Sequence, residues 1–357
     1  MLIKRFFLSS TARLQQTEVR QFYHESDLDV RQTSVCLNEP ALRQTEVCRT
    51  VSVDQVARSL MTPLAWVTMQ PETEDVPENS FAMREREVET VDGTVRIATL
   101  VCEPLEEAGF INAFSTRLGG VSAFPSDSLS LAYFKGDPEQ NVAENRRRFL
   151  TAIGSEDTQV VTARQTHSTE RCLIESPEQA SGPQPDCDAM VTRLPNVLLA
   201  IQTADCLPVL IADTKTGTMA AIHAGWRGTA GRITERTIAD MMMLHGVNTY
   251  DCIAALGPSA CVACYEVGED VIDRYKGEFG YWRNLLVNFK ANGKAHLDVR
   301  AANVQQLRFC GFDDDQIHVA DYCTIHQNEL FFSYRREGKG PSGVGRSLSV
   351  IGKQSGF

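Results

Sequence analysis

Val197-Leu198-Leu199-Ala200-Ile201-Gln202-Thr203-Ala204-Asp205-Cys206-Leu207-Pro208-Val209-Leu210-Ile211-Ala212 is the stretch on which the reading of this chain turns. Apolar runs at 197–201 and 208–212 flank a polar break that ends in Asp205-Cys206. Each run is short and lacks polar alternation, as a strand buried on both faces does. Asp213-Thr214-Lys215-Thr216-Gly217 then supplies turn chemistry, with Gly217 free to take positive φ. A third run, Met219-Ala220-Ala221-Ile222, delivers His223 ahead of Ala224-Gly225-Trp226-Arg227-Gly228. A thiol and an imidazole therefore stand where core strands break into glycine-bearing loops, and a core strand end is a rigid mount for chemistry.

Working outward, further β-rich runs predict strands at 94–102, 110–115, 159–163, 170–174 and 189–192. Asp137-Pro138-Glu139 is a helix start, with a capping carboxylate and proline in the first turn. Helical spacing of Ile233, Ile238, Met241 and Met242 predicts a helix over 231–244, closed by Gly246. Another opens at Asp298 and ends at Gly311. Strands that are partly adjacent and partly split by helices predict mixed sheets rather than a strict βαβ winding.

The chain has 357 residues, 35 Lys and Arg against 46 Asp and Glu, and a net charge of -11, so a nucleic-acid surface is not expected. Eleven cysteines are an odd count, several of them inside apolar runs, and a reducing compartment is the expectation. No apolar run approaches the roughly 18 residues that a membrane span needs, so no membrane partner is expected. Nothing in the sequence sets an oligomeric state. Residues 1–16 carry Lys4, Arg5 and Arg13 with Ser9, Ser10 and Thr11 and no acid, the composition of an organellar transit peptide. An ordinary basic terminus on a cytoplasmic protein and a mitochondrial import segment both fit it. No glycine precedes Gly93, a loose Gln-Thr-x-Val repeat recurs before residue 50, and Pro71-Glu72-Thr73-Glu74-Asp75-Val76-Pro77-Glu78 has the composition of a linker. The expected division is an extension over 1–93 and a main domain over 94–357.

Taken alone, His167, in the polar break Arg164-Gln165-Thr166-His167-Ser168, reads as a surface or capping residue, and Cys206 as a packed thiol. Asp205 beside the thiol and Arg227 close after His223 argue for more. Three ligands, His167, Cys206 and His223, from three strand ends would leave a fourth tetrahedral position open, which is how catalytic zinc is held. A hydrolase dyad with Cys206 as nucleophile and His223 as base fits the same residues. Arg227 in Gly225-Trp226-Arg227-Gly228 and Arg117 in Thr116-Arg117-Leu118-Gly119-Gly120 each place a guanidinium beside glycines, suited to an anion. Plain turns with solvated arginines are the other reading. Cys261 and Cys264 form a Cys-x-x-Cys with no second pair in view, and a turn with one packed thiol is expected there.

These motifs occur together and in a familiar order. Thr116 to Ser122, Gln165-Thr166-His167-Ser168, Asp188-Ala189-Met190-Val191-Thr192, Thr203 to Val209 and His223 to Gly228 are followed by Leu256-Gly257-Pro258-Ser259, Cys264-Tyr265-Glu266-Val267-Gly268, Leu297-Asp298-Val299, Cys323-Thr324 and Phe331 to Arg336. From about residue 100 onward the chain resembles the laccase-domain family, long labelled multicopper polyphenol oxidoreductases and now regarded as purine nucleoside phosphorylases. The resemblance implies an α+β fold, a layered sandwich of mixed β-sheets and helices, with zinc (Zn2+) held by His167, Cys206 and His223. It also implies phosphorolysis of the purine nucleosides adenosine, inosine and S-methyl-5'-thioadenosine by phosphate, with some adenosine deamination. One departure bears on substrate preference and is the support for a third reading, a nucleoside-binding protein without catalysis: where the family has Ser-Leu-Asn-Leu and then a histidine, this chain reads Ser128-Leu129-Ser130-Leu131-Ala132-Tyr133-Phe134-Lys135. The older oxidase label does not fit seven histidines, no two of them one residue apart, because multicopper oxidases need many paired imidazoles.

Overall fold

Large apolar side chains alternate between two cores along the strand β9 (Val197–Thr203). Val197, Leu199 and Ile201 enter one cluster, and Leu198 and Ala200 enter another on the opposite face. β10 (Leu207–Asp213) behaves alike, with Leu207, Val209 and Ile211 on one side and Leu210 and Ala212 on the other. Two strands buried on both faces require layers above and below, and the computed structural model supplies them. It describes residues 80–123, 127–133, 136–338 and 343–354, together with residues 20–21 and 35–36.

The chain divides into two units, Met1–Glu74 and Asp75–Phe357. In the first, β1 (Arg20–Gln21) pairs antiparallel with β2 (Val35–Cys36). The basic terminus, most of the repeat and the acidic linker lie outside the described residues.

The second unit holds two six-stranded sheets. One runs β3 (Phe81–Thr90), β4 (Gly93–Cys102), β5 (Ile111–Ser115), β17 (Ser347–Lys353), β9, β6 (Gln159–Thr162). The other runs β16 (Ile317–Val319), β12 (Cys252–Leu256), β10, β11 (Met219–Ala224), β8 (Ala189–Thr192), β7 (Arg171–Ile174). Both are mixed, since β6 on β9, β7 on β8 and β12 on β16 are parallel and the other pairs antiparallel. The core between them joins Phe114, Leu199, Ile201 and Ile351 to Met190, Leu210 and Ala221. The helix Glu139–Ala152 covers the outside of the first sheet through Phe149. Helices Ile233–His245, Glu269–Glu278 and Val299–Phe309 cover the outside of the second through Ile238, Met241, Ile272 and Leu307. The expected layered α+β sandwich of mixed sheets is what forms.

One connection shapes the site, and two details differ from expectation. β9 and β10 are neighbours in sequence but belong to different sheets, so Ala204-Asp205-Cys206 crosses from one layer to the other. The helix expected from residue 231 is preceded by a separate turn, Trp226–Ala230, because Arg232 takes a left-handed conformation at φ 62. The sheet also begins earlier than residue 94. β3 pairs along its whole length with β4, Phe81 opposite Cys102 and Thr90 opposite Gly93, and buries Phe81 and Val88. A small third sheet, β13 (Glu266–Val267), β15 (Ala295–Leu297), β14 (Leu286–Val287), lies among the helices. Among the described residues no helix is long and apolar enough to cross a membrane.

Candidate active site

The crossing between the sheets opens into a cavity of about 710 Å³ that has His167, Cys206 and His223 in its wall. Each arrives from a different element. His167 follows β6 on a loop, Cys206 immediately precedes β10, and His223 lies near the end of β11. The β10–β11 ladder sets Pro208 opposite His223, which brings the two residues to one end of the sheet. The ligand atoms of the three all lie within 4.8 Å of one another. Cys206 Sγ is 3.9 Å from His167 Nε2, and the two imidazoles meet edge to face at 4.8 Å.

Asp188, fully buried, organises this group. Its Oδ1 accepts from His167 N at 3.0 Å and lies 2.8 Å from His223 Nδ1. Its Oδ2 accepts from Ser168 N and Ser168 Oγ, both at 2.6 Å, and from Thr166 N at 3.2 Å. One carboxylate thus wraps the His167 loop and fixes the His223 ring, making Nδ1 the donor and leaving Nε2 to the cavity. Burial pushes the Asp188 carboxyl up, but the hydrogen bonds from His223 and Ser168 outweigh it and hold it well below the usual carboxylate range. Gln165 holds the other side of the loop by donating to Gln202 O and accepting from Gln202 N, each at 2.8 Å.

His167 and Asp205 have φ of 59 and 91, the left-handed region that residues with side chains seldom adopt. Asp205 is held there by Thr324 Oγ1, which donates to Oδ1 at 2.7 Å, and by Arg335 N, which donates to Oδ2 at 2.6 Å. Burial pushes the Cys206 thiol up, yet the charge on His223 and a hydrogen bond from His167 bring it down to about 6. Burial pulls His223 down, while the facing thiolate and Asp188 raise it to about 9. The pair therefore favours thiolate facing imidazolium when no cation stands between them.

The two predicted anion arginines separate. Arg227 lines the cavity, stacks on Trp226 at 4.3 Å, and has no carboxylate partner among the described residues. Arg117 is not among the residues that line the cavity. It is buried, ion-paired with Glu337 at 2.9 Å, and donates to Asn328 O at 2.6 Å. Its glycines serve packing: a Cβ on Gly119 would stand 2.5 Å from Arg96 O, and one on Gly120 would collide with Ser128 O. The sequence reading did not single out Arg346 and Arg335, which join Arg227 in the lining. Tyr133, from the divergent loop, lines the cavity as well, stacked by Arg146 at 5.3 Å.

Residues 111–354 match the family described as multi-copper polyphenol oxidoreductase laccase. The chain belongs to this family. A family relative from Deinococcus radiodurans, named purine nucleoside phosphorylase, is 39% identical over 242 residues, 68% of this chain and 88% of that protein. Another, adenosine deaminase RL5 from an unknown prokaryotic organism, is 34% identical over 235 residues, 64% of this chain and 89% of that protein. The crystal structure of YlmD from Geobacillus stearothermophilus shares the fold with a TM-score of 0.68 at 28% identity, covering 78% of this chain and 100% of that one. The family's fold is therefore the layered sandwich seen here. His167, Cys206 and His223 form a group able to bind a metal ion, with two imidazoles and a thiol as donors. Gly225 leaves them room, since a Cβ there would stand 3.1 Å from Cys206 Sγ and 3.2 Å from His167 Cδ2.

Proposed function

We propose that the chain is a zinc-dependent purine nucleoside phosphorylase. It splits adenosine, inosine or S-methyl-5'-thioadenosine into base and (methylthio)ribose 1-phosphate, and deaminates adenosine as a secondary activity. The observation that carries this is the convergence of His167, Cys206 and His223 in a cavity that also presents Arg227 and Arg346. Two imidazoles and a thiolate with a fourth side open suit zinc. When bound, zinc supplies a Lewis acid at its open position. The relatives named for phosphorolysis and for deamination support the pair of activities.

The protein's own groups do the rest. Asp188 holds the His223 ring through Nδ1 and the His167 loop through its backbone N–H, which keeps the two residues side by side in the cavity wall. Arg227 and Arg346 bring positive charge to a cavity in a chain whose net charge is -11, which a phosphate ion requires. Held there, a phosphate oxygen bonds to the ribose C1' as the bond from C1' to the purine nitrogen breaks, and the electron pair leaves with the base. Trp226, Tyr265 and Tyr133 give the same cavity aromatic walls for a purine and its sugar.

The depressed Cys206 thiol beside His223 supports one second reading, a cysteine hydrolase. One preparation separates the two. Inosine should yield base and ribose 1-phosphate only when phosphate is supplied, in protein that holds zinc. Free ribose released in phosphate-free buffer would reject phosphorolysis, and full turnover by metal-free protein would reject the zinc.

A further inference from the structure

A second group of donors lies outside the cavity lining. Cys261 and Cys264, expected to be an isolated pair, are met by Cys323 and His326 from the segment after β16. The three sulfurs and the imidazole offer four ligand atoms, all within 4.8 Å of one another. His326 stands among the thiols, with Nε2 3.1 Å from Cys264 Sγ and Nδ1 3.7 Å from Cys261 Sγ. Cys323 Sγ accepts backbone N–H groups from Cys261 at 3.4 Å and from His326 at 3.5 Å. Backbone donors aimed at a sulfur stabilise thiolate rather than thiol, and such donors surround metal-bound cysteines.

The backbone is braced to keep the two halves together. Ser259 and Cys323 form a parallel bridge, and Ser259 N donates to Tyr322 O at 3.3 Å. Arg300 fastens both segments from one side, donating to Ser259 Oγ at 2.8 Å, to Ser259 O at 2.7 Å and to Tyr322 O. A disulfide would account for two of the thiols and leave the third thiol and the imidazole unexplained, whereas all three cysteines are free here. Thiolate-rich tetrahedral sets with one imidazole suit zinc, and a full complement of four protein ligands marks a structural site.

We propose that Cys261, Cys264, Cys323 and His326 hold a second, structural zinc ion. Binding releases the protons of the three thiols, so the site tightens as pH rises. Its consequence reaches the cavity through Asp205. Ala260, next to Cys261, donates its N–H to Asp205 O at 3.0 Å, and Thr324, next to Cys323, holds Asp205 Oδ1 at 2.7 Å. Tyr265, next to Cys264, forms part of the cavity wall. The ion thus clamps the two segments that keep Asp205 in its left-handed conformation beside Cys206.

The test counts metal on the full chain purified under reducing conditions, in wild type, in Cys206→Ala and in Cys261→Ser. Wild type should hold two zinc ions per chain, Cys206→Ala one, and Cys261→Ser one with a lowered melting temperature. Cys206→Ala reloaded with cobalt should show the intense visible bands of a tetrahedral ion and strong thiolate charge transfer in the near ultraviolet. His326→Cys should keep that ion and shift those bands. One zinc in wild type and one in Cys206→Ala would reject the cavity zinc and leave this site standing. One in wild type and none in Cys206→Ala would overturn this site, as would a Cys261–Cys264 disulfide in the purified chain. If Cys261→Ser fails to fold, the cobalt spectrum of Cys206→Ala decides alone.

Discussion

Asp188 receives the amide hydrogens of residues 166–168 while it also fixes His223, so it touches two of the three candidate ligands without facing the cavity. Asp188→Asn keeps the size but presents an amide NH2 where only acceptors fit. We expect zinc affinity to fall by roughly 10–100-fold, measured by competition with a chelator on protein whose circular dichroism is unchanged. Unchanged affinity would remove Asp188 from this role. Cys206 gives a pH test of the same environment. Its thiol is held at about 6 rather than the ordinary 9, so it is protonated below about 6 and thiolate above. In zinc-stripped protein, alkylation of Cys206 should rise with a midpoint near that value, while rebound zinc should suppress it. A midpoint near 9 would show that His167 and His223 do not act on the thiol as the geometry implies. His167, Cys206 and His223 were legible as candidates because each sits where an apolar run gives way to polar residues. Asp188 was not, since nothing in its own neighbourhood in sequence shows that a loop twenty residues earlier wraps around it.

At the scale of turns and strands, similar local sequences serve different ends. Arg227 and Arg117 both sit beside glycines, yet the turn Trp226–Ala230 faces the cavity and the Arg117 turn is packed inside. Glycine marks close backbone approach in either case, and only tertiary packing says what approaches. Arg227→Lys should cost one charged hydrogen bond, about 1.5–3 kcal/mol, or roughly one to two decades in kcat/KM for phosphate, with zinc and melting temperature unchanged. Arg117→Lys should do the reverse, lowering the melting temperature while the KM for phosphate holds. Equal effects of both on phosphate would return Arg117 to the anion site. The strands buried on both faces were readable to within a residue or two, because a short unbroken apolar run bounded by turn residues suits a central strand and is too short for a helix. β3 was not readable as a strand. Its centre, Arg84-Glu85-Arg86-Glu87, is exposed and charged as edge strands are, and it lacks the unbroken apolar run that marks the central strands. The break at Arg232 was equally hidden, because a left-handed arginine leaves the helical spacing around it intact.

For the whole molecule the question is where the folded unit starts. The sequence places that start near residue 94, at the glycine that ends a long glycine-free stretch. In the structure Gly93 instead opens β4, the second strand of a hairpin whose first strand, β3, lies wholly before it. We propose that the unit begins before Phe81, at about Asp75. A chain of residues 94–357 would lose burial of Phe81 and Val88, about 3–6 kcal/mol together. It would also present β4, whose last six residues are all buried, as an unpaired sheet edge. Against a typical total stability of about 5–15 kcal/mol, that loss should give insoluble protein or a melting temperature lower by roughly 10 °C or more. A chain of residues 75–357 keeps β3 and every residue of the two proposed zinc sites. It should therefore melt close to the full chain, hold the same zinc, and turn over nucleoside at the same rate. Both chains can be compared by thermal melting, metal content and phosphorolysis. If the chain starting at residue 94 matches the full chain in all three, β3 is an ornament on the sheet. If the chain starting at residue 75 loses activity while staying folded, then residues 1–74 take part in the reaction, and the extension needs a functional account of its own.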